Sequence, residues 1–268
     1  MDIAWREYDI QLQAAVRTAT QQLMSIVGTG QIASADDLLI IYQALIDRYG
    51  AATAESALLA LENSRRTVNL WDELPKPAAA ALPATGQIEG TFSWAVSQSV
   101  DKESFPLIAA KLAGPLGRLI QQPARETVYN ATADAGTRYA RVPGPKACWF
   151  CLMLASRGAA YTSKDAALNV TKRSAGKTQT RYRNADAASG HSYRKGRPLG
   201  ARFHDNCTCI AIESHTPSDL PNVIHQLEKE WIENTHDPTN PNASQIGLWR
   251  QHIAATRPNG ETLPQALA

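Results

Sequence analysis

In Val142-Pro-Gly-Pro-Lys-Ala-Cys-Trp-Phe-Cys151 the helical spacing of the preceding chain stops and a thiol-bearing segment begins. Pro143 and Pro145 each lack an amide donor and push the preceding residue towards extended backbone, so a helix cannot run through them. Cys148 and Cys151 stand three residues apart, a turn that lets both sulfurs reach one small soft cation. The other two cysteines form Cys207-x-Cys209, with His204 three residues earlier. Five candidate ligands thus compete for four tetrahedral places, and one of Cys207 and Cys209 is spare if that segment is extended.

Upstream of this stretch the chain reads as helices. Trp5, Tyr8, Ile10, Leu12, Val16, Leu23 and Ile26 recur along about one stripe from 4 to 28 before Gly28-Thr-Gly30. Ser34 with Asp36 and Asp37 predicts a helix start, with Gly50 as its stop and a further helix from Ala51 to Leu70; alternatively Gly50 is internal and the two form one rod. Pro75, Pro77 and Pro83 predict an extended linker over 71–90. Short helices are expected over 91–98 and 106–122, interrupted at Gly114-Pro115, and another over 123–140 with Pro123 in its first turn. The fold class expected is mainly α: a helical N-terminal region (1–70), the linker, central helices (91–141), a small irregular Cys/His knuckle module with a long basic loop and short strands (142–215), and a C-terminal helix with an extended tail (216–268). Within the module a short helix is expected near 163–168 and a strand over 203–212. The core is placed mainly in the helices before residue 141.

Length and composition permit this plan. With 268 residues, 44% of them hydrophobic, the chain buries one sizeable core or two modest ones, and four cysteines are too few for a disulfide scaffold. The net charge of +2 conceals a segregation. From Arg138 to Arg202 there are 14 Lys and Arg against two acids, giving +12, while the rest carries 13 bases and 23 acids, giving −10. A segment so charged calls for solvent, salt or an anionic partner, and phosphates suit it. Its candidate nucleic-acid contacts are Lys172, Arg173, Lys177, Arg181, Arg183, Arg194, Lys195 and Arg197, with Tyr182 and Tyr193 available for stacking. The plain alternative is a solvated basic loop that offsets an acidic body.

Three readings compete for the cysteines: a structural zinc, one or two disulfides between the two pairs, and ordinary reduced thiols. No charged N-terminal region followed by an apolar run is present, which predicts a cytosolic start where lasting disulfides are unusual. No apolar run reaches the length of a membrane span. Catalytic signatures are absent: Ser174-Ala-Gly-Lys177-Thr178 lacks the first glycine of a phosphate loop, and no His-Glu-x-x-His, Gly-x-Ser-x-Gly or Gly-x-Gly-x-x-Gly occurs. A metal-dependent nuclease is short of the acids a hard cation needs, with only Asp186 and Asp205 near the histidines.

Arg125-Glu-Thr127, the segment from Val142 to Cys151, Leu154-Ala-Ser-Arg-Gly158 and Phe203-His-Asp-Asn-Cys-Thr-Cys209 follow one another in an order that resembles the minor head proteins of tailed phages related to the Mu F protein, in the version common in actinobacterial phages and prophages. The resemblance covers roughly residues 1–215. It implies a non-enzymatic virion component, made in the host cytoplasm and located in the capsid interior near the portal, that serves head assembly and genome packaging or ejection. The implied partners are portal and capsid proteins and genomic double-stranded DNA, contacted without sequence preference. It also implies that Cys148, Cys151, His204, Cys207 and Cys209 form a structural knuckle, with zinc as its metal or disulfides in its place, and that Arg125 and Thr127 sit on the helix that braces it. Phe203 and Asn206 stand where the family often has Pro, which bears on loop rigidity rather than ligand chemistry. The alternative is a zinc-stabilised cellular nucleic-acid-binding protein or a metal-dependent nuclease.

Overall fold

The computed structural model describes residues 3–101, 104–144, 147–159, 205, 207–236, 239–240 and 243–257. The helix expected near 163–168, His204 and the eight basic residues from Lys172 to Arg197 lie outside them. The described chain is mainly helical. Helix α1 spans Ile3–Gly28 and α2 spans Ala35–Thr67. The α2 start is the expected one: the Ser34 hydroxyl accepts the Asp37 amide at 3.1 Å, with Asp36 and Asp37 at the positive end of the helix dipole.

Of the two readings of Gly50, the single rod is correct. A Cβ there would lie 3.1 Å from Leu82 Cδ2 and 3.5 Å from Pro123 Cγ. The glycine therefore marks a close approach of the 71–84 segment and the next long helix, not a helix end.

Helix α3, Thr85–Ser97, begins inside the expected linker, because Ile88 and Phe92 bury one of its faces directly after Pro83. The two helices expected over 106–140 are instead one, α4 at Phe105–Ala135, with Pro115 and Pro123 buried in its interior. An interior proline costs a helix about 3 kcal/mol. Burial of Ile108, Leu112, Leu116, Leu119, Ile120 and Val128 offsets this, each side chain contributing about 1.5–3 kcal/mol. Gly136, at φ 67°, ends α4 in the left-handed conformation that glycine tolerates best. Residues 138–140, expected to continue the helix, turn into strand β1, Arg138–Val142.

The module beyond holds α5 (Trp149–Ala155) and strand β2 (Ile210–Ser214). The strand expected over 203–212 thus begins later, and Cys207–Cys209 is irregular. A 3-10 turn at Pro217–Asp219 leads to α6 (Asn222–Asn234) and α7 (Gln245–Thr256), where an extended tail was expected. Trp249 docks α7: its ring is buried and its Nε1 donates to the Trp149 carbonyl at 2.9 Å.

Strands β1 and β2 pair antiparallel, with Arg138 opposite Ser214, Ala140 opposite Ile212 and Val142 opposite Ile210. One apolar cluster joins α1 to α4 through Leu23, Leu38, Tyr42, Phe92 and Leu116. A second joins Trp5, Tyr8, Leu61 and Val128 to Tyr139, Ile212, Leu154, Ile224 and Trp249. The core is therefore not confined to the helices before residue 141. The pairs Val142/Ile210 and Ala140/Ile212 carry it into the C-terminal half.

Candidate metal centre

The β1/β2 register assembles the cysteines. Because Val142 pairs with Ile210, the chain leaving β1 and the chain entering β2 run side by side, and continuing the register sets Gly144 opposite Thr208. Gly144 is required there: a Cβ would lie 2.7 Å from Thr208 Cβ and 2.8 Å from the Thr208 carbonyl oxygen. Cys148 follows as the N-cap of α5 and Cys151 lies in its first turn. Cys151, Cys207 and Cys209 are buried, with their sulfurs all within 4.8 Å of one another. Cys151 Sγ and Cys207 Sγ are 3.6 Å apart. Half-buried Cys148 packs against the same cluster and hydrogen-bonds with the Cys151 thiol. All four thiols are unbridged.

Two helices hold the second cysteine pair by its carbonyls. From α4, Arg125 Nη2 donates to the Cys207 carbonyl at 3.0 Å and to the Cys209 carbonyl at 2.8 Å, with Nε also on Cys209 at 3.2 Å. Gln121, one turn earlier, donates to the Cys207 carbonyl at 3.3 Å and accepts from Arg125 at 2.7 Å. From α1, Gln13 donates to the Thr208 carbonyl at 3.2 Å and to Asp9 at 3.1 Å. Three consecutive carbonyls are thus turned outward to the helices, which leaves the two sulfurs facing inward.

The electrostatics favour a thiolate at this point. Hydrogen bonds from the Cys151 and Cys209 thiols hold Cys207 well below the usual thiol range, and the Arg125 guanidinium adds to this. Cys151 is held well above that range, first by its hydrogen bonds with Cys148, Cys207 and Cys209 and then by burial. Burial lowers the pKa of Arg125, opposed by the charges of Cys207 and Cys209; nearby Arg141 lowers it further. Arg125 and Arg141 are each only 2% exposed, so both positive charges belong to the interior and not to a nucleic-acid-facing surface, and Arg125 is the one set against the thiols.

Of the residues singled out from the sequence, the structure brings Cys148, Cys151, Cys207 and Cys209 together. It sets Arg125 against the second pair. Thr127 faces elsewhere: its hydroxyl donates to the Pro123 carbonyl at 2.8 Å and accepts the Ala80 amide at 2.9 Å, tying down the 71–84 segment.

Sequence reasoning missed Gln13, Gln121 and Gly144, and the Arg118–Asp205 pair at 2.7 Å, which fixes the chain just before Cys207 to α4. It also missed the buried pair between Arg65 and Glu213. There Nε lies 2.8 Å from Oε2 and Nη2 2.9 Å from Oε1, with both side chains 0% exposed. The same guanidinium donates to the carbonyls of Pro75 at 2.7 Å and Ala131 at 3.2 Å, and Thr137 donates to Glu213. The one available signal was the four-residue spacing of Gln121 and Arg125, which places two polar groups together on an otherwise apolar helix face.

A family model described as VG15 protein matches residues 3–233. No curated protein and no solved structure matches the chain.

Proposed function

The chain belongs to the VG15 protein family over a stretch that runs from α1 through α6, and from that premise we propose a function carried by the helical body and thiol module together: a zinc-clasped, non-catalytic structural protein that holds nucleic acid through phosphates. The observation that carries it is the closed thiol cluster bracketed by Arg125. Four sulfurs about 2.3 Å from one zinc ion stand about 3.8 Å apart along the tetrahedron edges, close to the 3.6 Å between Cys151 and Cys207. All-thiol ligand sets belong to structural zinc, whereas catalytic zinc keeps an open position, and three of the four thiols here are buried. Four thiolates around a dication leave a charge of 2−, which the buried guanidinium of Arg125 opposes. The proposed ligand set is Cys151, Cys207 and Cys209 with Cys148, which packs against them, as the fourth; His204 lies outside the described residues. Zinc there would clamp the chain after β1 to the chain before β2, and so hold the ends of the intervening basic segment together.

The setting we propose is the head of a tailed phage, near the portal, with genomic DNA as the nucleic acid. The motif order from Arg125 to Cys209 supports this through its resemblance to Mu F-like minor head proteins, and the +12 carried from Arg138 to Arg202, most of it between the cysteine pairs, supports a phosphate-bearing partner. The same cluster and charge support a second reading, a cellular zinc-stabilised nucleic-acid binder. Two measurements separate the possibilities. Elemental analysis with a thiol count should give one zinc per chain and four thiols that react only after chelation; no metal with paired thiols would overturn the clasp. Fractionation of phage particles should find the chain with the portal, and its absence from particles would leave the cellular reading.

A further inference from the structure

Beside the thiol cluster, α7 and the chain entering α5 line an open cavity of about 590 Å³ that includes Cys148, Trp149, Arg250, Ile253, Ala254 and Arg257 in its wall. No acid lines it. Arg250 is exposed, and its guanidinium carbon sits 4.8 Å from the centre of the Trp149 ring. Stacking of this kind fixes a guanidinium in place while leaving the donors on its edge free for an oxyanion. Trp149 is itself anchored, since its carbonyl accepts from Trp249. At the other end, Arg257 is held by Glu230 through Nη2 at 2.9 and 3.0 Å, while its Nη1 has no hydrogen-bond partner among the described residues. Arg250 lies within α7, and Arg257 is the residue that caps its C-terminal end. The remaining wall is mostly apolar, which suits the organic part of a phosphate ester and not a bare ion.

We propose that this cavity is a phosphate-ester subsite. It takes one phosphodiester unit of a nucleic-acid strand, with the phosphate on the Arg250 edge and the sugar against Ile253 and Ala254. The proposal rests on the nucleic-acid reading above and adds a contact outside the basic segment. It places a phosphate within the same module that the cysteines close, so a strand bound there would feel whether the clasp is formed.

The test uses the full chain and a fluorescently labelled duplex oligonucleotide, titrated by anisotropy between about 50 and 200 mM salt. Arg250→Gln is expected to weaken binding about tenfold at the lower salt and to reduce the salt slope by about one, with an unchanged melting temperature. Trp149→Leu is expected to weaken binding in the same direction by unpinning Arg250. A quadruple Gln variant at Arg181, Arg183, Arg194 and Lys195 reports on the basic segment separately. If Arg250→Gln binds as the parent does while the quadruple variant loses affinity, the subsite is refuted and the nucleic-acid reading stands. If the parent does not bind duplex but binds thymidine monophosphate in a calorimetric titration that Arg250→Gln abolishes, the subsite stands as one for free phosphate esters and the nucleic-acid reading fails. Binding of neither probe refutes the subsite.

Discussion

Replacing Gly144 by alanine tests whether the β1/β2 register builds the cysteine cluster. The new methyl carbon would lie 2.7 Å from Thr208 Cβ and 2.8 Å from the Thr208 carbonyl oxygen, and 2.0 Å from its Oγ1. The hydroxyl can rotate away, but the other two atoms belong to the backbone or are bonded to it. Relief to an ordinary contact of about 3.5 Å therefore requires the 143–148 chain to move off the Cys207–Cys209 chain by more than half an ångström. Overpacking of this kind costs about 1–3 kcal/mol. For a chain of this size that corresponds to a melting temperature lower by about 2–12 °C. Because the shift separates the two cysteine pairs, zinc should also leave faster when the protein is challenged with a chelator and a chromophoric zinc indicator. Adding Thr208→Ala should restore little, since the clashing Cβ and carbonyl oxygen remain, whereas Thr208→Gly should restore more. Gly144→Ala with parental melting temperature and zinc release would refute the argument that the strand register sets the metal site.

Other expectations follow from the same structure. Glu213→Gln leaves the Arg65 cation buried without its counter-charge and should cost about 3–5 kcal/mol in denaturant unfolding. The Arg65→Met, Glu213→Leu double variant should cost clearly less than the two single changes added together. Burial raises the pKa of Asp9, with the hydrogen bond from Gln13 opposing it, so the folded state holds this proton more tightly than the unfolded chain, whose value is near 3.8. Its stabilising contribution is complete below that value and is lost as pH rises through the higher folded value. Asp9→Asn should accordingly melt higher than the parent at pH 7, with the difference vanishing in acid, as paired melting curves across pH will show. Chelation of zinc should lower the melting temperature of the parent. Cys148→Ser should lower its zinc affinity, while His204→Ala should leave it nearly intact in competition titrations.

The helical class was legible because apolar spacing over α1, α2 and α4 is long and regular, and the Ser34 start carries its own local chemistry. The elements read wrongly were those where tertiary burial overruled a local signal. Pro115 looks like a helix interruption and Pro123 like a helix start in one dimension, yet both are buried inside α4; Gly50 left two readings open, and its close approach to Leu82 and Pro123 goes with the continuous rod. Residues 138–140 look helical until Ile212 and Ser214, far along the chain, provide backbone partners.

The candidate site divides in the same way. That four cysteines in two close pairs flank a strongly basic segment is written in the order of residues, because thiol spacing and charge are local properties. Which side chains surround those thiols is a consequence of folding. Gln13, Gln121, Arg125 and Gly144 reach the second cysteine pair from sites between 64 and 195 residues away, and apart from the Gln121/Arg125 spacing and the resemblance around Arg125 nothing near them in the chain announces it. Buried carbonyls and thiolates must find donors and counter-charge wherever the packing brings them. The antiparallel pairing of β1 with β2, itself dependent on the end of α4 at Gly136, brings these particular groups there.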